Sequence, residues 1–103
     1  MKKIKVVQLS GCNWCALLTG ALKSHNITYE SIDADKDSTL ADQLEDLLNT
    51  TYYPIVLIET DTMTSYVFRA TEVSGVGIAS LGSKTEKIGC IDIDTMVTQI
   101  LNK

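Results

Sequence analysis

Apolar positions change period several times along this chain, and each change marks an element. Ile4, Val6 and Val7, set among lysines, read as a first strand over 4–9. Trp14, Leu17, Leu18, Ala21 and Leu22 then recur at the spacing of one helix face. Asn26 closes that helix. Thr28, Glu30 and Ile32 alternating with Ile27 and Tyr29 predict a second strand over 27–32. A polar turn, 33–38, supplies N-cap candidates for a second helix over about 39–49, expected to bury Leu40, Leu44, Leu47 and Leu48. Thr39 with Asp42 three residues on has the form of a capping box.

Pro54, the only proline, opens the continuous apolar run Ile55–Ile58, a buried strand by its length and β-branching. A further strand is expected over 65–70. Between 71 and 88, Val73, Val76, Ile78 and Leu81 are broken by Gly75, Gly77 and Gly82, with Gly89 just beyond; a hairpin and an ordered loop fit equally well. Ile93, Met96, Val97, Ile100 and Leu101 form a last helix stripe, which Asp92 or Asp94 would cap. The order β-α-β-α-β-β-α predicts an α/β domain with about four strands in a mixed sheet, its first β-α-β unit parallel by the right-handed crossover rule.

A length of 103 residues suits one domain. A net charge of −4 argues against a general nucleic-acid or anionic-membrane binder. No run approaches the ~18 apolar residues of a membrane span, and the lysine-alternating start is unlike a signal peptide. Three cysteines, two of them in one Cys-x-x-Cys, suit a reducing cytoplasm better than a secreted disulfide scaffold.

The chemistry concentrates at Cys12 and Cys15, in Gly11-Cys12-Asn13-Trp14-Cys15. A strand feeding a helix through this turn sets both sulfurs at the helix N-terminus, where unpaired N–H groups and the helix dipole favour a thiolate. With Cys12 at the N-cap, N–H bonds from Trp14 and Cys15 are expected. A thiolate beside a second thiol attacks a disulfide and is then released by its neighbour. With no lysine nearby in sequence, the helix must supply most of the activation.

Cys12-Asn13-Trp14-Cys15 after the first strand, Tyr29 and Asp33 around the second, Tyr53-Pro54 before the third and Gly89-Cys90 before the last helix together resemble the glutaredoxins of the thioredoxin fold. The resemblance implies that Cys12 is the nucleophile and Cys15 the resolving thiol. It implies a cis Tyr53–Pro54 bond facing them, with the Tyr53 backbone offered to glutathione. The turn Gly89–Asp92, with Cys90 within it, would hold the glutathione carboxylate through N–H groups at a helix start. The implied activity is reduction of protein disulfides or glutathione mixed disulfides, with glutathione as reductant, disulfide-containing client proteins as partners and a monomer as the working form. The sequence departs from the family at Asn13, where proline is frequent, at Leu9-Ser10-Gly11, where a basic residue is common, and at Ile88-Gly89, where a glycine pair is usual. An extra segment over about 60–86 sets Pro54 far from Gly89.

Two other function classes fit. Absence of the inter-cysteine proline admits a [2Fe–2S] cluster shared by two protomers and two glutathiones. Alternatively, the 60–86 segment forms a partner surface on an inert or redox-gated domain; simple decoration is as good an account of it. Cys90 is either a regulatory thiol or, better, a small apolar residue at a turn. Trp14 either docks a partner or packs. One of Tyr52 and Tyr53 should be core, since neighbours in an extended segment point apart. His25, about 15 Å along a straight helix from Cys15, is a helix-end residue rather than a zinc ligand. Asp33-x-Asp35-x-Asp37 has the beginning of a calcium loop without its glycine or its closing glutamate.

Overall fold

The computed structural model describes residues 2–70, 77–81 and 83–103. The elements run in the order β1 (Lys3–Gln8), α1 (Asn13–Ser24), β2 (Glu30–Asp33), α2 (Ser38–Leu48), β3 (Ile55–Glu59), β4 (Met63–Arg69), β5 (Gly77–Leu81), β6 (Ser83–Cys90) and α3 (Ile93–Leu101). All six strands join one mixed sheet in the order β2-β1-β3-β4-β6-β5. β1 pairs parallel with β2 and antiparallel with β3, and β3 pairs antiparallel with β4. The expected α/β architecture and the parallel first unit are present. The sheet has six strands instead of about four, because β6 pairs parallel to β4 and β5 folds back antiparallel on β6. Of the two readings offered for 71–88, the β5–β6 pair matches the hairpin. Val73, Val76, Gly75, Gly82 and the side chains of Ile78 and Leu81 lie outside the described residues.

The sheet is covered on both faces, which is why β1 and β3 are apolar at successive positions. On one side Ile4, Val6, Val56, Ile58, Val67, Ile88 and Cys90 meet Leu18 and Leu22 of α1 and Met96, Val97 and Ile100 of α3. On the other, Val7, Ile55 and Phe68 meet Ala41, Leu44 and Leu48 of α2, with Cys15 and Tyr53 in the same cluster. Leu17 (61% exposed) and Leu47 (41%) fall outside these faces, although the sequence pattern grouped them with the buried leucines.

Local signals account for the shifted boundaries. α1 ends in a Schellman arrangement: Asn26 is left-handed at φ 56°, its N–H reaches Lys23 O, and the Ile27 N–H reaches Leu22 O at 2.9 Å. Residues 27–29 are spent leaving the helix, so β2 starts at Glu30 rather than Ile27. α2 is capped by Asp37, whose carboxylate accepts the Leu40 N–H at 3.2 Å; the expected Thr39–Asp42 box lies inside the helix. The turn that brings Asp37 there is closed by Lys36 and Asp37 N–H groups on Asp33 O. Asp92, not Asp94, caps α3.

One ladder relation positions the site. Val7 stands opposite Ile55, Ile55 opposite Phe68, and Phe68 opposite Gly89. The end of β1, the start of β3 and the ends of β4 and β6 therefore share one edge of the sheet.

Candidate functional site

β1 runs out at Gln8, and Gly11, at φ +74°, turns the chain into α1. That φ is left-handed, and only glycine adopts it without strain. Cys12 follows in extended conformation as the N-cap. Its sulfur accepts the Cys15 N–H at 3.1 Å, and its carbonyl takes the Ala16 N–H at 3.2 Å. Of the two donors expected for the sulfur, Cys15 is the one in place. Cys12 and Cys15 are joined as a disulfide, with Cα atoms 5.2 Å apart. Their surroundings differ: Cys12 is half-buried at the surface, whereas Cys15 is 2% exposed among the α2-side core residues. The outer sulfur is reachable by a second molecule, and the inner one is reachable through the outer.

The Tyr53–Pro54 bond is cis, and Pro54 immediately precedes β3. Tyr53 O lies 3.6 Å from the Cys12 sulfur. Its phenol is buried and donates to Glu45 Oε2 at 2.7 Å, which fastens the loop to α2. Burial, then the bond to Glu45, then the charges of Glu45, Asp42 and Asp35 keep that phenol protonated well beyond the ordinary tyrosine range. Tyr52 points outward, so Tyr53 is the core member of the pair.

Cys12, Cys15, Tyr53 and Pro54 thus come together. Gly89, Cys90 and Asp92 share their sheet edge but not their place on it. Gly89 and Cys90 are the last residues of β6 rather than a free turn, and the Ala70 N–H donates to Cys90 O at 2.8 Å. With β4 between β3 and β6, they stand about 10 Å from the start of β3, two strand spacings. Cys90 is fully buried on the α1/α3 side; burial, then the Asp92 charge, pushes its thiol up to about 11. That is the small apolar reading, not the regulatory one. Asp92 accepts the Thr95 N–H at 2.7 Å, and its hydrogen bonds to Thr95 hold the carboxyl below the usual range. A negative cap already occupies this helix start.

Sequence reasoning missed Arg69. At the end of β4 its guanidinium carbon sits 3.8 Å from the Trp14 ring centroid and 5.1 Å from that of Tyr52. The cation absent before the motif in sequence is thus supplied from the far strand. Trp14 is half-buried, packing toward the α1/α3 cluster beneath the guanidinium. Nothing local betrays this, because the register that puts Phe68 opposite Ile55 is a long-range property.

His25 is exposed at the end of α1. Asp33 accepts the Asp35 N–H in a local turn at 2.9 Å, and Asp37 is spent on its cap. Among the described residues, no group of three or more His, Cys, Asp or Glu side chains is placed to hold a metal, and no helix is long and apolar enough to cross a membrane.

No curated protein matches the chain. Among solved structures, it is similar to a mutant of the thioredoxin-like protein BC3987, at 29% identity over 53% of this chain and 74% of that one, with a TM-score of 0.48. A family model described as Glutaredoxin matches residues 4–62, from β1 to the residue before β4.

Proposed function

As the chain belongs to the glutaredoxin family, we propose that it is a dithiol oxidoreductase that reduces protein disulfides or glutathione mixed disulfides. The observation that carries this reading is the inequality of the two sulfurs. Cys12 is at the N-cap, half-exposed and hydrogen-bonded by the Cys15 N–H at 3.1 Å; Cys15 is buried behind it. The helix start and that bond favour the thiolate of Cys12, the form that attacks.

In the proposed cycle, the Cys12 thiolate attacks one substrate sulfur and the other leaves as a thiolate that takes a proton. Cys15 then loses its proton and displaces the second thiolate, leaving Cys12–Cys15 oxidised. Two electrons have passed from the dithiol to the substrate. Two glutathione molecules restore the dithiol and leave as glutathione disulfide. The Tyr53 backbone, beside the Cys12 sulfur, is the peptide group that a substrate chain meets first. The Gly89–Asp92 segment is given no part in holding glutathione, since it is displaced by a strand and carries the Asp92 charge. A reducing compartment such as the cytoplasm keeps the dithiol ready.

The test is glutathione-coupled reduction of a small mixed disulfide by wild type, Cys12→Ser and Cys15→Ser. Cys12→Ser should abolish turnover. Cys15→Ser should accumulate a mixed disulfide, visible by mass spectrometry, or be confined to monothiol turnover. Turnover retained by Cys12→Ser, or none by folded and reduced wild type, overturns the assignment. Anaerobic purification tests the cluster alternative, for which Asn13 speaks: visible absorption and a dimer would favour it.

A further inference from the structure

Arg69 is the one cation of the described residues set against the dithiol motif itself, and thiol–disulfide exchange does not by itself require it. It leaves the end of β4 on the α1/α3 side and is held by two rings, Trp14 from inside the motif and Tyr52 from beside the cis-proline. Stacking on aromatic faces fixes a guanidinium while leaving its N–H edge free to donate. Among the described residues no carboxylate is seen paired with it, whereas Lys5 pairs with Glu59 and Lys103 with Glu86. Next to it a groove of about 250 Å³ is lined by Asn49, Thr50 and Tyr52 on one side and by Phe68, Arg69 and Ala70 on the other. Tyr52, which borders the groove, is the chain neighbour of Tyr53, whose carbonyl lies 3.6 Å from the Cys12 sulfur. The charges around Tyr53 on the α2 side, Glu45, Asp42 and Asp35, are all negative. A negative substrate group is therefore repelled there and attracted toward Arg69, the other cation at that end of α2, Lys87, being engaged with Leu47 O at 3.0 Å.

We propose that Arg69 is a specificity residue: it selects disulfides whose flanking chain carries a carboxylate, seating that carboxylate in the groove beside Tyr52 while Cys12 attacks. This rests on the oxidoreductase reading and adds a substrate class to it. The exchange balances as above, and Arg69 takes no part in bond making. Guanidinium–carboxylate contacts are charge-assisted and directional, so a fixed Arg is suited to the task.

The experiment compares two small disulfides of similar size, dithiodipropionate (a carboxylate at each end) and bis(2-hydroxyethyl) disulfide (neutral). Each is mixed with the reduced protein, and the second-order rate constant of dithiol oxidation is followed by Trp14 fluorescence and by thiol titration. The readout is the ratio of the two constants. In Arg69→Gln the ratio should fall about fivefold to tenfold, as expected for one charge-assisted contact at a half-exposed site. Arg69→Lys, which keeps the charge without the planar stack, should fall by less. In wild type the ratio should also fall at about 1 M salt, where the screening length is about 3 Å. An unchanged ratio in both variants, whether the absolute rates hold or drop together, makes Arg69 a clamp on Trp14 and Tyr52 and overturns the proposal. A wild type that reduces neither compound overturns the oxidoreductase reading, and the proposal with it.

Discussion

Replacing Cys90 by alanine should reverse the order of stability between neutral and alkaline pH. The thiol is fully buried, and the fold moves it from its ordinary 9.0 to about 11, by burial first and the Asp92 charge second. In the unfolded chain it ionises two units earlier, so from pH 9 upward the unfolded state binds fewer protons than the native one. Stability is then lost with rising pH, by up to about 1.4 kcal/mol per unit for this one group. The loss is absent below pH 9, accumulates between pH 9 and 11, and levels off once the native thiol also ionises. At pH 11 it should reach about 2 kcal/mol, somewhat less than two full units because the native thiol is then half ionised. Near pH 7, by contrast, Cys90→Ala should be the less stable protein by about 1 kcal/mol, the transfer value of one buried methylene-sized group. The measurement is urea unfolding followed by the single tryptophan at intervals from pH 7 to 11. A Cys12→Ser, Cys15→Ser background leaves Cys90 as the sole thiol, so disulfide reshuffling is excluded. Other alkaline titrations, Tyr53 included, are common to both proteins and cancel in the difference. Parallel pH profiles for parent and Cys90→Ala would refute the reasoning and mean that water reaches the sulfur.

Tyr53→Phe removes a 2.7 Å bond to Glu45 and should cost about 1.5 kcal/mol, the low end for a bond to a charged group because the half-buried Glu45 regains water; a double-mutant cycle with Glu45→Gln should return a coupling of about 1 kcal/mol. Asn26→Ala forces alanine into the left-handed position and should destabilise by about 1 kcal/mol, with Asn26→Gly neutral or better, both read from chemical denaturation. Leu18→Ala should cost about 2–5 kcal/mol from a fully buried site, while Leu17→Ala, one residue earlier and 61% exposed, should stay within about 0.5 kcal/mol by the same measurement.

What the sequence revealed and what it concealed divide along the range of the interactions. Ile55–Ile58 is legible because both faces of β3 are covered and every position must be apolar. The pair Cys12 and Cys15 is legible because its geometry depends only on a strand-to-helix turn and a cap. β6 is not. Its Glu86 is nearly buried because Ser65 and Lys103 reach it from β4 and from beyond α3, and a charge so enclosed reads locally as a loop residue. The leucines of α1 and α2 were over-counted because 3.6-residue periodicity cannot say how wide the buried stripe is, so Leu17 and Leu47 passed as core. Arg69 needed the pairing of β4 with β3, which no local pattern encodes.

The Cys12 cap ties the protein's redox state to its folding equilibrium. The four-residue ring closed by the disulfide restrains the unfolded chain by only about 2 kcal/mol. Whatever the helix start contributes to the Cys12 thiolate stabilises the reduced, folded protein in the same measure. That contribution works against the restraint of the ring and brings the reduced protein closer in stability to the oxidised one. By the same cycle, it makes the folded dithiol harder to oxidise. A single N–H bond at the start of α1 thus acts on both equilibria, and a substitution that loosens that helix start would be felt as a change in electron-donating power before any loss of structure.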